Sequence, residues 1–341
     1  MITFKPKQIT KSLLGVLPER AADVLTKRYG LDTEGQSYTL ESIGQSYGIT
    51  RERVRQIENY GIQSIQRSEE YKKHFDLFFE MQRLIDKLGG GLIAEKVLLD
   101  ELTDSEITRN HLYFLLVIGD PFYRGKENVE YTHRWYTEKK TVMEVEKALH
   151  GIGASLDLNE LISEGEIIKR FQDQLLETTK QEDEDILRRW LLISKRIGKN
   201  PLGDWGLVDS PNVRVKGIRD YAYLAVKRHG SPMHFREVAD NIEHLFKHKA
   251  HVATTHNELI KDARFVLVGR GLYALTEWGY TAGVVKDVLR EILLQEGPLT
   301  KEELIDKVRK ERYVKDNTII VNLQDTNIFR RLSNGSYTVA D

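Results

Sequence analysis

Between residues 38 and 67, "YTLESIGQSYGITRERVRQIENYGIQSIQR", apolar positions fall at helical spacing. Leu40 and Ile43, then Ile49, Val54 and Ile57, lay a stripe along one side of two short helices, so that the helices pack on each other. Gly48, Ile49 and Thr50 form the corner between them. Gly48 can take a positive φ there, and Thr50 is a good N-cap for the helix that follows. Upstream, "LPERAADVLTKRYGL" supplies a further helix with Pro18 near its start and Gly30 at its end. The pattern predicts a helix-turn-helix with a supporting helix.

The same reading finds a repeated plan downstream. Residues 220–278 and 286–340 each run helix, glycine-proline corner (Gly230 and Pro232; Gly297 and Pro298), helix, third helical stretch and closing strand pair. The hairpins turn at Arg270-Gly271 and Asn334-Gly335. Three helices and a β-hairpin describe a winged helix. A third, less regular copy is expected at 78–137, with its third helix over 110–118 and a hairpin in "PFYRGKENVEYTHRWYT". The predicted fold class is therefore mainly α, with tandem helix-turn-helix and winged-helix modules and short β-hairpin wings. The expected division is 1–74, 75–137, an acidic helical connector and linker at 138–215 that can hide a degenerate fourth unit, 216–280 and 281–341. Pro201–Gly217, rich in glycine and proline, reads as the linker where proteases cut first.

Length changes the picture little, since 341 residues with 40% hydrophobic side chains suffice for several small cores. Charge changes it more. The net charge of −1 argues against a nucleic-acid binder on its face, but 138–187 is acidic while the helix from Arg51 and the stretch from Lys216 to Arg270 are basic, and local sign governs a modular protein. There is no cysteine, which excludes disulfides and cysteine-ligated zinc. Without an apolar leader or a membrane-length apolar run, a soluble cytoplasmic protein with no membrane partner is expected.

Crowded charge at the start of the second helix carries the functional signal. In a helix-turn-helix that end enters the DNA major groove, where arginine pairs with guanine and glutamine with adenine. Arg51, Glu52 and Gln56 are the candidate base readers, Thr50 the cap beside them, and Arg53 and Arg55 the flanking phosphate contacts. "LPERAADVLTKRYGL" followed by the quoted stretch, with "GITRERVRQIE" as its most specific run, resembles region 4 of sigma-70-family RNA polymerase sigma factors over residues 10–68. The resemblance implies reading of a promoter −35 element in double-stranded DNA and docking on the RNA polymerase core at its β-flap. Nothing in the sequence resembles region 2, the aromatic-rich domain that melts the −10 element, and the chain starts almost where region 4 starts. A transcription factor without a melting domain is therefore expected.

"AYLAVKRHGSPMHFREVADNI" and "FVLVGRGLYALTEW" resemble the HARE-type winged helix of the polymerase delta subunit, which implies DNA-binding candidates at Arg236 and Arg270. It also leaves an alternative, a delta-like accessory protein whose modules mainly touch protein. His244, His248 and His251 stand at i, i+4 and i+7, a spacing that would gather them on one helix face as metal ligands, yet no cysteine or obvious carboxylate completes the set, and a polar or DNA-facing surface is the stronger reading. Enzyme chemistry lacks its constellations. No phosphate loop, HExxH or GxSxG occurs, "GIGAS" at 151–155 follows a helix, and the carboxylates of "QEDEDI" at 181–186 read as a wet helix face or loop more readily than as a magnesium site. No cofactor and no catalytic residue are expected.

Overall fold

The computed structural model describes residues 2–176, 179, 181, 183–280 and 283–340. They divide into two compact units, 1–198 with 205–208 and 199–204 with 209–341.

The first unit opens with α1 (Pro6–Leu14), α2 (Glu19–Tyr29), α3 (Leu40–Tyr47), α4 (Arg51–Gln66) and α5 (Glu69–Lys73). Next come α6 (Phe75–Gly89), β1 (Leu92–Ala94), α7 (Glu95–Leu102), α8 (Glu106–Ile118), β2 (Tyr123–Gly125) and β3 (Arg134–Tyr136). The strands form one antiparallel sheet in the order β1-β3-β2, so 75–136 is a winged helix. Its third helix starts at Glu106, earlier than the expected 110, because Ser105 caps it by accepting from the Thr108 amide. One core joins this winged helix to the helix-turn-helix: Leu13, Leu25 and Ile65 pack in the same cluster as Phe78, Phe114 and Leu115. The apolar rear of the helix-turn-helix is thus covered by the chain itself.

Residues read as a helical, acidic connector that can hide a fourth unit form three helices and a strand pair that pack as a further layer. Here α9 (Lys139–Ser155), α10 (Glu164–Gln174) and α11 (Glu184–Leu191) bury Leu149, Ile167, Phe171 and Trp190 together with Leu92 of β1. The Trp190 indole donates to the carbonyls of Gly89 and Leu92, at 2.7 and 3.0 Å, which ties α11 to the winged helix. Some of the acidic residues that suggested a connector lie on outer faces, as Glu184 and Asp185 do in their pairs with Arg188, whereas Glu146 pairs with the buried Arg134. Of "QEDEDI", Glu182 lies outside the described residues. The ribbon of β4 (Ile197–Lys199) and β5 (Trp205–Leu207) follows.

The expected linker at 201–217 is ordered and partly interior. Trp205, Ser210, Asn212 and Val213 are buried, and Asn212 accepts from Arg264 at 3.1 Å. Glycine and proline shape its turns here without freeing it.

The second unit holds two winged helices. The first comprises α12 (Ile218–His229), β6 (Met233–His234), α13 (Phe235–Phe246), α14 (Val252–Lys261), β7 (Phe265–Gly269) and β8 (Leu272–Leu275), with sheet order β6-β8-β7. The second comprises α15 (Val285–Glu296), α16 (Lys301–Glu311), α17 (Asp316–Leu323), β9 (Phe329–Arg331) and β10 (Tyr337–Val339). They touch directly: the Tyr313 amide donates to the Val268 carbonyl at 2.9 Å, and the buried Arg312 donates to the carbonyls of Leu267 and Gly283. The fold is therefore mainly α, with helix-turn-helix and winged-helix modules and short antiparallel wings.

Candidate nucleic-acid interface

The turn between α3 and α4 is built by three local devices. Thr39 caps α3, Gly48 ends it at φ 65°, and Thr50 caps α4 by accepting from the Arg53 amide at 3.2 Å. Gly44 matters for a different reason. A Cβ there would lie 2.7 Å from the Ile49 carbonyl oxygen, so only glycine lets α3 approach the chain entering α4. Beneath the turn Val24, Ile43 and Val54 are buried, with Leu40, Ile49 and Ile57 packed round them, which is the stripe the sequence predicts.

Burial of Val54, Gly61 and Ile65 fixes which side of α4 faces inward. At 3.6 residues per turn the opposite side carries Glu52, Gln56 and Asn59, with Arg55 beside them and Arg51 and Arg53 at the margins. All six of these side chains are exposed. Arg55 thus stands nearer the outward line than Arg51 does. Asn59, and Tyr60 at 56% exposure, belong to this surface and were not among the expected contacts. The spacing from Glu52, at i+3, i+4 and i+7, was the signal that could have found Asn59.

These groups pair with one another along the helix. Arg55 donates from Nε and Nη2 to the two Glu52 oxygens at 2.9 and 2.7 Å, and Arg53 donates to Gln56 Oε1 at 2.9 Å. The Arg55 guanidinium holds the Glu52 carboxyl below its ordinary value. Both pairs lie in open solvent, where such contacts are weak and yield readily to a stronger partner. The buried side is firmer. Glu58 accepts from the Tyr29 hydroxyl at 3.0 Å and lies 3.5 Å from Arg28 Nε, which anchors α4 to α2. Burial pushes the Tyr29 hydroxyl well above its ordinary value, so it stays a donor.

Arg236 and Arg270 lie in the second unit and come together there. The Phe235 amide, at the start of α13, donates to the Gly271 carbonyl at 3.0 Å, which sets exposed Arg236 beside the wing turn that carries exposed Arg270. His244, His248 and His251, whose spacing would gather them on one helix face, are not brought onto one. Helix α13 ends at Phe246 because Lys247 adopts φ 54°; His248 then stacks on Tyr221 at 4.7 Å between centroids, and His251 is the N-cap position of α14. The helical spacing assumed for them is interrupted by that left-handed residue.

Among the described residues no group of three or more histidine, aspartate or glutamate side chains is placed to hold a metal ion, and no helix is long and apolar enough to cross a membrane.

Residues 13–67 match the family described as sigma-70, region 4. The RNA polymerase principal sigma factor HrdD of Streptomyces griseus is 34% identical over 67 residues, which is 20% of this chain and 20% of that protein. The RNA polymerase sigma factor SigA of a Bacillus species is 39% identical over 67 residues, 20% of this chain and 18% of that one. The HrdD of Streptomyces viridifaciens is 37% identical over 62 residues, 18% of each. The chain thus spans about a fifth of the length of the curated relatives it matches. Residues 13–67 are a sigma-70 region 4 domain, with α4 as the second helix of its helix-turn-helix.

Proposed function

We propose that this chain is a DNA-binding transcription factor that acts with bacterial RNA polymerase, reading a −35-like element of double-stranded DNA through α4. The observation that carries this reading is the outward row of polar and charged side chains on α4 within the region 4 match. In the proposed complex Arg51, Glu52 and Gln56 meet base edges, Arg53 and Arg55 release their intrahelical partners to reach phosphates, and Thr50 holds the leading turn. Arg236 and Arg270, on a winged helix resembling the HARE type, add a second, weaker phosphate contact.

Selection of bound sequences from random duplex DNA tests the assignment. Arg51→Ala and Gln56→Ala should each relax base preference at one position by about 1–3 kcal/mol while leaving the melting temperature unchanged. Unaltered preference in both variants would exclude α4 as the reading element. Affinity should fall by roughly 0.9 log unit per log unit of salt for each phosphate neutralised.

The rear of the helix-turn-helix is occupied by the chain's own winged helix. A polymerase contact, at the β-flap or elsewhere, therefore uses the surface that α1–α4 leave exposed. We also expect no promoter melting by this chain with core polymerase alone, since capture of unstacked bases needs aromatic platforms. The described aromatics of the first 75 residues are mostly engaged in packing: Tyr29 and Tyr71 are buried, and Tyr47 is bonded to Asp23. Permanganate footprinting on a linear promoter should show no unpaired thymines; a bubble that depends on this chain alone would overturn this.

A second reading, a delta-like accessory protein, draws on α17. There Val321 is 64% exposed, where a duplex-reading helix would carry hydrogen-bonding groups. A shallow salt slope with retained polymerase binding would favour it over direct DNA reading.

A further inference from the structure

The first unit contains a cavity of about 490 Å³ that none of the groups assigned above explains, formed where α2, α4, α8 and the wing of the first winged helix meet. Its volume falls in the range of small-molecule sites, roughly 300–1,000 Å³, and its lining mixes aromatic residues with several charged and polar ones, Arg28, Ser37, Glu58, Asn110 and Arg124 among them. Tyr29 and Tyr113 stand with ring centroids 5.9 Å apart on one side, and Phe122 meets Trp135 edge-on at 5.8 Å on another.

The polar groups are of two kinds. The charges are already compensated: Arg28 lies 3.5 Å from Glu58, and Arg124 binds Glu95 through Nε and Nη2 at 2.8 and 2.9 Å. A charged ligand would meet an opposing carboxylate or guanidinium whichever sign it carried. What remains unengaged is a set of neutral or spare positions. Among the described residues the Tyr113 hydroxyl, the Ser37 hydroxyl and Arg124 Nη1 have no hydrogen-bond acceptor, and Glu58 Oε2 and Asn110 Oδ1 have no donor, while Asn110 spends its amide protons on the carbonyls of Gly30 and Gly35. Donors and acceptors therefore converge on a space beside the Arg124 guanidinium, which itself lies over the rings of Tyr113 and Trp135 at 5.1 and 5.9 Å to the centroids.

We infer that this cavity binds a neutral planar heterocycle with both donor and acceptor edges, the chemical class of nucleobases and nucleosides. The ring would lie against the plane of the Arg124 guanidinium and the aromatic residues beneath it, its acceptors toward Tyr113 and Arg124 and its donors toward Glu58 and Asn110. Such a ligand would satisfy groups that have no protein partner among the described residues, and needs no ion pair to break.

Isothermal titration of the full chain with adenosine, guanosine, cytidine and uridine tests this, with benzoate and inorganic phosphate as charged controls. At least one nucleoside should bind one to one with a Kd below about 1 mM. Tyr113→Phe, which removes a hydroxyl that has no partner in the fold, should weaken that binding by roughly two- to tenfold without lowering the melting temperature. Val117→Trp, placed on the cavity lining to fill it, should abolish binding. Absence of any nucleoside binding, equal binding of the parent and Tyr113→Phe, or tighter binding of benzoate or phosphate would each overturn the inference. If Val117→Trp does not fold, Tyr113→Phe decides alone.

Discussion

Phe78→Ala should lower the stability of the first unit by about 3–5 kcal/mol and melt the helix-turn-helix together with its winged helix. Phe78 is fully buried, stacks on Tyr71 at 4.6 Å between centroids, and lies in the cluster that also holds Leu13, Leu25 and Ile65. The cost is that of an aromatic ring removed from a packed interior plus the cavity it leaves, against a total of about 5–15 kcal/mol for a typical domain. Joint melting is the informative part. Amide exchange should accelerate in α2 and α4 as much as in α6 and α8. Protection retained in α2 and α4 with loss confined to 75–137 would show two independent modules and refute the shared core. On the same argument, a fragment ending at residue 74 should expose Leu13, Leu25 and Ile65 and fail to fold.

Arg264→Met should destabilise the second unit by about 3–5 kcal/mol, because it leaves a buried carboxylate without its cation. Arg264 Nη2 donates to Asp220 Oδ1 at 2.8 Å and to Asp262 Oδ2 at 2.6 Å, and Asp220 is only 1% exposed. The Lys216 amide, donating to Asp220 Oδ2 at 3.0 Å, would remain, and exposed Arg219, with Nε 3.9 Å from Oδ1, is too distant to replace the hydrogen-bonded guanidinium. Asp220→Asn in the same chain should restore part of the loss, since an amide is cheaper to bury than an unpaired charge. Chemical denaturation of the single and double variants reads both effects, and a double variant no more stable than the single would exclude the buried charge as the cause.

The same cluster sets an acid limit. Burial works to raise the Asp262 carboxyl, but hydrogen bonds from Arg264 outweigh it and hold the group below the ordinary 3.8. A carboxyl lowered in the fold contributes stability that is present above its unfolded value and is lost as pH falls through the folded one. In Arg264→Met that contribution is gone, so the parent's advantage should shrink on acidification below the ordinary carboxylate range.

Local chemistry made the helix-turn-helix and the wings legible from sequence. A capping threonine, a glycine that must turn left-handed and an apolar stripe at helical spacing are properties of neighbouring residues, and at Thr50, Gly48 and Val54 they act as read. The hairpin turn at Arg270-Gly271 is local in the same way. What failed depended on partners distant in sequence. Trp190 gives no sign that its indole will meet Gly89 and Leu92, so the packing of the acidic helical stretch, read as a connector that can hide a fourth unit, was not legible. Asn212, in a stretch read as linker, is interior because Arg264 reaches it. The helical run of the histidines broke for a local reason, the left-handed backbone of Lys247, which no side-chain pattern announces. By itself the sequence determined the helix-turn-helix, its caps and the charged leading turns of α4, though not Asn59 and Tyr60 beyond them. Only the tertiary structure decided which apolar faces share a core, because pairing of faces is settled by shape and burial across long separations, whereas caps and turns are settled within a few residues.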